Sequence, residues 1–249
     1  MNPFATTSMS IGYATARPPV HRKVVAKALA GRNVAGQRAL DVGCGAGLST
    51  RALEGFFDSP VGLEPAEAML VMAKTVSQDS SFAVGQAERL PFRGQSFGWM
   101  SAAGSLNYVA LDSFFGEARR VLDPEGRLLV YDFSPGRTFP HTGVLDAWFT
   151  SFVERYPWKA SEAHVLDPAR LDGLGMGFQV EASEQFEVGV ELNREFYVNY
   201  MMTESNVAYA IRRGIEEASI RGWVEETLPE SGWGKVMFRG YWAIMRMWN

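Results

Sequence analysis

The chain has 249 residues, 47% of them hydrophobic, one cysteine and a formal net charge of −4 at pH 7. That is enough apolar material for one large core. A lone cysteine cannot close an internal disulfide, no Cys/His cluster has metal-ligand spacing, and no basic run offers a footprint for nucleic acid. The start of the chain lacks the charged-then-apolar pattern of a signal peptide and no apolar run approaches a membrane span, so a cytoplasmic chain is expected.

In chain order, the apolar pattern predicts a helix from about Pro18 to Val34 and a strand over 38–43. This strand turns through Gly43, Gly45 and Gly47 into a helix near 47–57. Glycines at such a bend accept positive φ and let a ligand approach the backbone, and the helix start offers free N–H groups. A dinucleotide fingerprint, G-x-G-x-x-G, would require glycine where Leu48 stands. Asp41 also places a carboxylate at the strand end, and at ~4 Å and intermediate dielectric it would repel a pyrophosphate by about 4 kcal/mol per charge pair. A ligand with a carboxylate for the helix start, an ammonium for the acid and a ribose beyond fits both features: S-adenosylmethionine. Cys44, inside the bend, reads as a small packing residue.

The next strand, 60–64, ends in Glu64, about twenty residues past the first glycine, where a neighbouring parallel strand offers a carboxylate to a ribose diol. A helix from Ala66 to about Val76 follows, and Pro65 and Met69 join the candidate cofactor contacts. Strands at 81–85, 97–103 and 126–133, with a helix at 111–122, continue an alternation that predicts a doubly wound, mostly parallel α/β sheet. Its ligand is expected beyond the carboxyl ends of the strands, where Asp41, Gly43, Glu64, Gln86 and Ala103 lie. After residue 133 the alternation stops. Residues 134–172, rich in proline, glycine and aromatics, read equally as a lid or as helical decoration. A strand from Phe178 to Val190, helices Phe196–Arg213 and Ile215–Thr227, and a strand Lys235–Met247 complete the pattern.

Beyond the glycine bend and Glu64, three stretches carry a resemblance: Gly85 to Phe92, Phe97 to Val109, and Arg120 to Asp132. Over roughly residues 10–133 the chain resembles a class I S-adenosylmethionine-dependent methyltransferase of the small-molecule type, related to the quinone-biosynthesis enzymes. The resemblance implies a seven-stranded Rossmann-like methyltransferase fold with helical lid insertions. It implies a single domain over 1–249: an N-terminal helical cap at 1–35, a cofactor-binding core at 36–133, and insertions at 134–175 and 191–230 that build the acceptor pocket. S-adenosylmethionine is the implied cofactor, S-adenosylhomocysteine the product, and a small molecule the acceptor, with no nucleic acid or membrane partner. Gln86 stands where relatives usually have Asp and keeps an acceptor oxygen for the adenine amino group, with Ala87 and Glu88 in the same segment. Tyr13 and Arg17 resemble an entry motif that folds over the cofactor's methionine end; otherwise Arg17 is a surface residue before a helix.

On the acceptor side the resemblance points to Asn107 and Tyr108, and to Tyr197, Tyr200 and Met201 if their segment caps the pocket. At helical spacing those last three read more often as core. With Asn107 where relatives often carry histidine, and with His21, His141 and His164 read as exposed or capping, no residue is assigned as a catalytic base. The Asn/Asp-Pro-Pro-Tyr signature is absent from the loop after residue 103, which disfavours base methylation in nucleic acid. Two alternatives stand beside this reading: a non-catalytic S-adenosylmethionine-type binding domain, and a nicotinamide oxidoreductase, disfavoured by Leu48 and Asp41.

Overall fold

A computed structural model of the protein describes residues 12, 14–158 and 163–248. The chain divides into two compact units. One comprises Met1–Val20, Ser134–Ser161 and Glu187–Arg239; the other comprises His21–Phe133, Glu162–Phe186 and Gly240–Asn249.

The second unit holds the parallel strands β1 (Ala39–Val42), β2 (Val61–Glu64), β3 (Ser81–Val84), β4 (Phe97–Ala103) and β5 (Leu122–Phe133). With β6 (Phe178–Leu192) and β7 (Gly234–Met247) they form one seven-stranded sheet in the order β3-β2-β1-β4-β5-β7-β6. Only the β5–β7 pair has an antiparallel register, from Arg127 opposite Arg246 to Phe133 opposite Gly240, among the pairings resolved between described residues. The four residues of β1 are all buried, as a strand covered on both faces requires. Helices α1 (Val20–Ala28), α2 (Leu48–Leu53), α3 (Glu67–Val76) and α4 (Leu111–Val121) follow the predicted alternation. In α4, Leu111, Phe114, Phe115, Ala118 and Val121 recur on one face and pack into a core with Leu40, Val42, Met100, Leu128 and Val130.

Two boundaries differ from the sequence reading for local reasons. The first helix stops at Ala28 because the chain turns at Gly31, which has φ +72°. The fifth strand begins at Leu122, not 126: Phe97 pairs with Leu122 but Trp99 pairs with Arg127, so Asp123–Gly126 is absorbed as a bulge within the strand.

The other unit contains α5 (Val144–Arg155), α7 (Arg194–Met201), α8 (Ser205–Arg212) and α9 (Glu217–Thr227), while the short α6 (Pro168–Gly173), capped by Asp167, belongs to the sheet unit. Its core is aromatic. Trp148 stacks on Phe152 at 5.3 Å and on Trp223 at 6.0 Å, and its Nε1 donates to Thr227 Oγ1 at 2.9 Å. The helix predicted over 196–213 is broken at Met202–Glu204, where Thr203 Oγ1 bonds the Tyr200 carbonyl and Glu204 is extended. Among the described residues, no helix is long and apolar enough to cross a membrane.

Candidate functional site

The three glycines between β1 and α2 each do a different job. Gly43 has φ +73°, and a Cβ there would lie 2.4 Å from Ser105 Cβ, so only glycine lets the bend meet the loop after β4. Gly47, at φ +87°, would drive a Cβ to 2.9 Å from Ala73 of α3. Gly45, at φ +52°, has nothing within 4 Å of its Cβ position. Two glycines therefore seat the bend on its neighbours, and the third leaves open space above the backbone.

Acids at the tips of β1 and β2 fasten this bend. Asp41 is fully buried, and its Oδ2 accepts from Ser49 Oγ at 2.6 Å and from Thr50 Oγ1 at 2.7 Å, tying β1 to α2. Its Oδ1 has no partner among the described residues. Burial pushes this carboxyl up to about 6, against the two hydroxyls that favour its charged form. Because no surface of Asp41 is open, the direct contact with a ligand ammonium expected from the sequence gives way to a fastening role beneath the bend. Glu64 Oε2 accepts from Gly45 N at 3.2 Å and Oε1 from Ala66 N at 3.1 Å, and burial raises its carboxyl too. An ionised carboxylate has about four lone-pair sites, so Glu64 keeps capacity for a diol. Cys44 is buried against Leu70, Ala73 and Phe82, its thiol pushed up by burial, which fits packing rather than chemistry.

Around the bend, Pro65 and Gln86 are exposed, Glu88 is half-buried and accepts from Ala110 N, and Ala87 and Met69 are buried. Met69, at 2% exposure, lies on the buried face of α3, so its side chain offers a ligand almost no surface. Tyr13 lies outside the described residues.

Sequence reasoning passed over one group at these tips. Asp132 is the penultimate residue of β5, as Asp41 is of β1, while Glu64 is the last of β2, and an acid closing an apolar strand was the available signal. Its Oδ2 accepts from Asn107 Nδ2 at 2.8 Å and its Oδ1 from Phe133 N at 2.8 Å. Asn107 sits in the 3-10 turn Ser105–Tyr108 just past Ala103, which is half-buried at the end of β4; Tyr108 is 74% exposed.

Four expected residues lie in the other unit and are engaged there. Arg17 Nη1 pairs with Glu204 Oε1 at 3.0 Å, Nη2 donates to the Thr203 carbonyl at 2.9 Å, and the guanidinium lies 5.2 Å from the Tyr200 ring centre. This replaces the expected contact with a ligand carboxylate, since the charge is already matched inside its own unit. Tyr197, Tyr200 and Met201 are at most 1% exposed, and Tyr197 Oη donates to the Gly136 carbonyl at 2.6 Å. They are core and present no acceptor-lining surface, which corrects the pocket expectation.

Comparison with known proteins agrees with this geometry. Residues 40–130, from β1 to the middle of β5, match the methyltransferase domain family. The chain is 34% identical over 89 residues to the demethylmenaquinone methyltransferase of Thermotoga maritima, covering 35% of this chain and 39% of that one. It is 31% identical over 104 residues to the ubiquinone biosynthesis O-methyltransferase of Azorhizobium caulinodans, 40% of this chain and 41% of that one. The matches thus span less than half the length of these curated relatives. Among solved structures, a protein of Anaeromyxobacter dehalogenans assigned as a type II methyltransferase superposes with TM-score 0.68 at 22% identity, covering 92% of this chain and 97% of that one. A Haemonchus contortus phosphoethanolamine N-methyltransferase bound to S-adenosylhomocysteine superposes with TM-score 0.56 at 16% identity, covering 96% of this chain and 57% of that one. At those identities the two structures speak for a shared Rossmann-like methyltransferase fold.

Proposed function

We propose that the chain, whose residues 40–130 match the methyltransferase domain family, binds S-adenosylmethionine at the Gly43–Gly47 bend and methylates a small molecule. One observation carries the reading: a positive-φ glycine, Gly45, with open space on its Cβ side, lies within hydrogen-bond distance of a strand-tip carboxylate that has lone pairs to spare. Glu64 would accept the ribose hydroxyls, exposed Gln86 with Ala87 and Glu88 would flank the adenine, and the backbone of Gly45 and Gly47 would hold the amino-acid end. Asp41, with an unpartnered buried oxygen, would favour a cationic ligand through its field, not through contact.

When bound, the cofactor supplies an electrophilic methyl group on its sulfonium. The chain's task is to orient the acceptor's nucleophile and exclude water. Two of the relatives are named as a demethylmenaquinone methyltransferase and a ubiquinone biosynthesis O-methyltransferase, which favours a hydroxylated ring acceptor here; such a ring is nucleophilic at the quinol or phenol level and not as the quinone. The whole chain is taken to work as one methyltransferase domain, with residues 134–175 and 191–230 as insertions into it, and to reside in the cytoplasm.

Calorimetric titration with S-adenosylmethionine, followed by a screen of hydroxylated rings for S-adenosylhomocysteine release, tests this. Micromolar binding with turnover of an acceptor is expected. Binding without turnover of any acceptor would identify the non-catalytic alternative, and no binding would remove the reading.

A further inference from the structure

We propose that Asp132 is the group that takes the acceptor's proton during methyl transfer, with Asn107 as the residue that positions it. The inference rests on the cofactor and acceptor readings given above, and it fills the one role for which the sequence offered no residue.

The first support is the order of the strand tips. Gln86 follows β3, Glu64 ends β2, the glycine bend follows β1, Ser105 follows β4 and Asp132 lies at the end of β5. Neighbouring strands stand about 4.8 Å apart, so Asp132 lies two strands, roughly 10 Å, from the β1 tip and on the side away from Glu64. If the ribose and adenine occupy the β2 and β3 tips, the space left for an acceptor is over β4 and β5.

The second support is a continuous set of contacts from the bend to this carboxylate. Ser105 abuts Gly43 and donates its hydroxyl to the Val42 carbonyl at 2.7 Å. Two residues on, Asn107 donates to Asp132 Oδ2 at 2.8 Å. Gly104, at φ +66°, makes room for the acid: a Cβ there would lie 3.0 Å from Asp132 Oδ1. Both oxygens are thus held by single neutral donors, Asn107 and the Phe133 amide, and each keeps a lone pair.

The third support is chemical. Asp132 is half-buried, and desolvation raises it above the usual carboxylate range, while the Asn107 and Phe133 hydrogen bonds pull it down. Among the described residues, the phenols of Tyr131 on the same strand and of Tyr241, the cross-strand partner of Asp132, interact with it, both raised by burial; Tyr241 also interacts with Asp167, and His21 packs beside this strand end with Nδ1 3.0 Å from Tyr131 Oη and its ring 5.1 Å from that of Phe133. A carboxylate so placed is a stronger base than a solvated one and stays accessible. Tyr108, the residue after Asn107, and Val165 are 74% and 71% exposed. Val165 follows His164, whose backbone N–H donates to the Asn107 carbonyl at 2.8 Å and so pins this segment to the turn that carries Asn107.

In the step itself, the ring hydroxyl's proton, or the ring-carbon proton in a C-methylation, passes to Asp132. The new bond to the methyl carbon forms with the nucleophile's electron pair, and the carbon–sulfur bond breaks with its pair left on sulfur. No oxidant or reductant is required.

The test compares wild type with Asp132→Asn, Asp132→Glu and Asn107→Ala, using a water-soluble 1,4-naphthoquinol lacking a ring methyl and a catechol as probe acceptors. S-adenosylmethionine affinity is expected to stay within about threefold of wild type in all three, since none of the altered groups faces the Gly45 side. S-adenosylhomocysteine release should fall on the order of 100-fold or more in Asp132→Asn and recover in part in Asp132→Glu. Removing the Asn107 hydrogen bond disfavours the charged carboxylate, so in Asn107→Ala the acid limb of kcat/KM moves to higher pH. Carbon-13 NMR of labelled aspartates gives a readout independent of turnover. The resonance missing from Asp132→Asn should titrate above the usual carboxylate range, and higher still in Asn107→Ala.

Asp132→Asn turning over at more than about a third of the wild-type rate, or an ordinary carboxylate titration for Asp132, overturns the assignment. Wild type that binds S-adenosylmethionine yet methylates neither probe overturns it too, because the proton to be taken belongs to that acceptor class. Failure of wild type to bind S-adenosylmethionine is a different result, which removes the cofactor reading itself. If Asp132→Asn does not fold, Asp132→Glu, which also lacks that labelled aspartate, assigns the resonance, and the NMR titration of wild type and Asn107→Ala decides the question.

Discussion

In the helical unit, Arg17 closes on Glu204, Tyr197 donates to the Gly136 carbonyl and Asn206 donates to the Tyr156 carbonyl, so these groups are engaged within the fold, although Arg194 Nε there is buried without a hydrogen-bond partner among the described residues. At the strand tips of the sheet unit the matching stops short: Asp41 Oδ1 lacks a partner among the described residues, Glu64 holds two backbone amides with lone pairs left over, and Gly45 faces open space. Both regions are rich in side chains that suit a ligand. The difference shows that residue type alone does not make a site; unspent hydrogen-bonding capacity next to open space does.

The largest effect that separates the two regions is expected from Gly45→Arg, which fills the open side of the bend. Binding of S-adenosylmethionine should be lost in calorimetry while the circular dichroism spectrum is kept; near-normal affinity would place the ligand elsewhere. Next comes Asp41. Its carboxyl sits higher in the folded chain, at about 6, than the ~3.9 of an unfolded aspartate. Folding therefore favours its protonated form. The resulting stabilisation is complete below pH ~4 and is lost as the pH rises through about 6, amounting to about 3 kcal/mol across the window. Asp41→Asn keeps an oxygen for Ser49 and Thr50 and should flatten this part of the stability profile measured by urea unfolding; an unchanged slope would mean that Asp41 is not the buried titrating group.

Smaller effects sharpen the contrast. Glu64→Ala should weaken S-adenosylmethionine binding by roughly 1 to 3 kcal/mol, the scale of a lost hydrogen bond to a charged group, and an unchanged dissociation constant would take Glu64 out of the ribose site. Tyr197→Phe, in the helical unit, removes the hydrogen bond to Gly136 and should cost about 1 kcal/mol of stability with cofactor affinity unchanged. A fall in affinity without a fall in stability would return Tyr197 to the binding machinery.

The sheet was legible because its signals are local. The apolar runs of β1 and β4, the spacing of Leu111, Phe114, Phe115 and Ala118 in α4, and the glycines of the bend each act within a few residues. Gly43 and Glu64 could be placed at strand tips for the same reason. The corrections to Arg17 and Tyr197 depend on partners far along the chain. Arg17 meets Glu204 187 positions away, and Tyr197 meets Gly136 61 positions away, separations at which no periodicity speaks. Asp41 was assigned to the right tip, but its burial depends on Ser49 and Thr50 turning inward, and the sequence offers two hydroxyls there without their direction. Asp132 was within reach, since it repeats the strand-then-acid pattern of Asp41 and Glu64; what the sequence hides is the Asn107 hydrogen bond and the desolvation that make this carboxylate a candidate base where a histidine would be the first expectation.

The most direct test is a pair of calorimetric titrations of the wild-type chain, one with S-adenosylmethionine and one with NADH, repeated on Gly45→Arg. The account predicts micromolar binding of S-adenosylmethionine that the substitution abolishes, and no heat from NADH. Binding of NADH alone, or S-adenosylmethionine binding that survives an arginine at position 45, would contradict it.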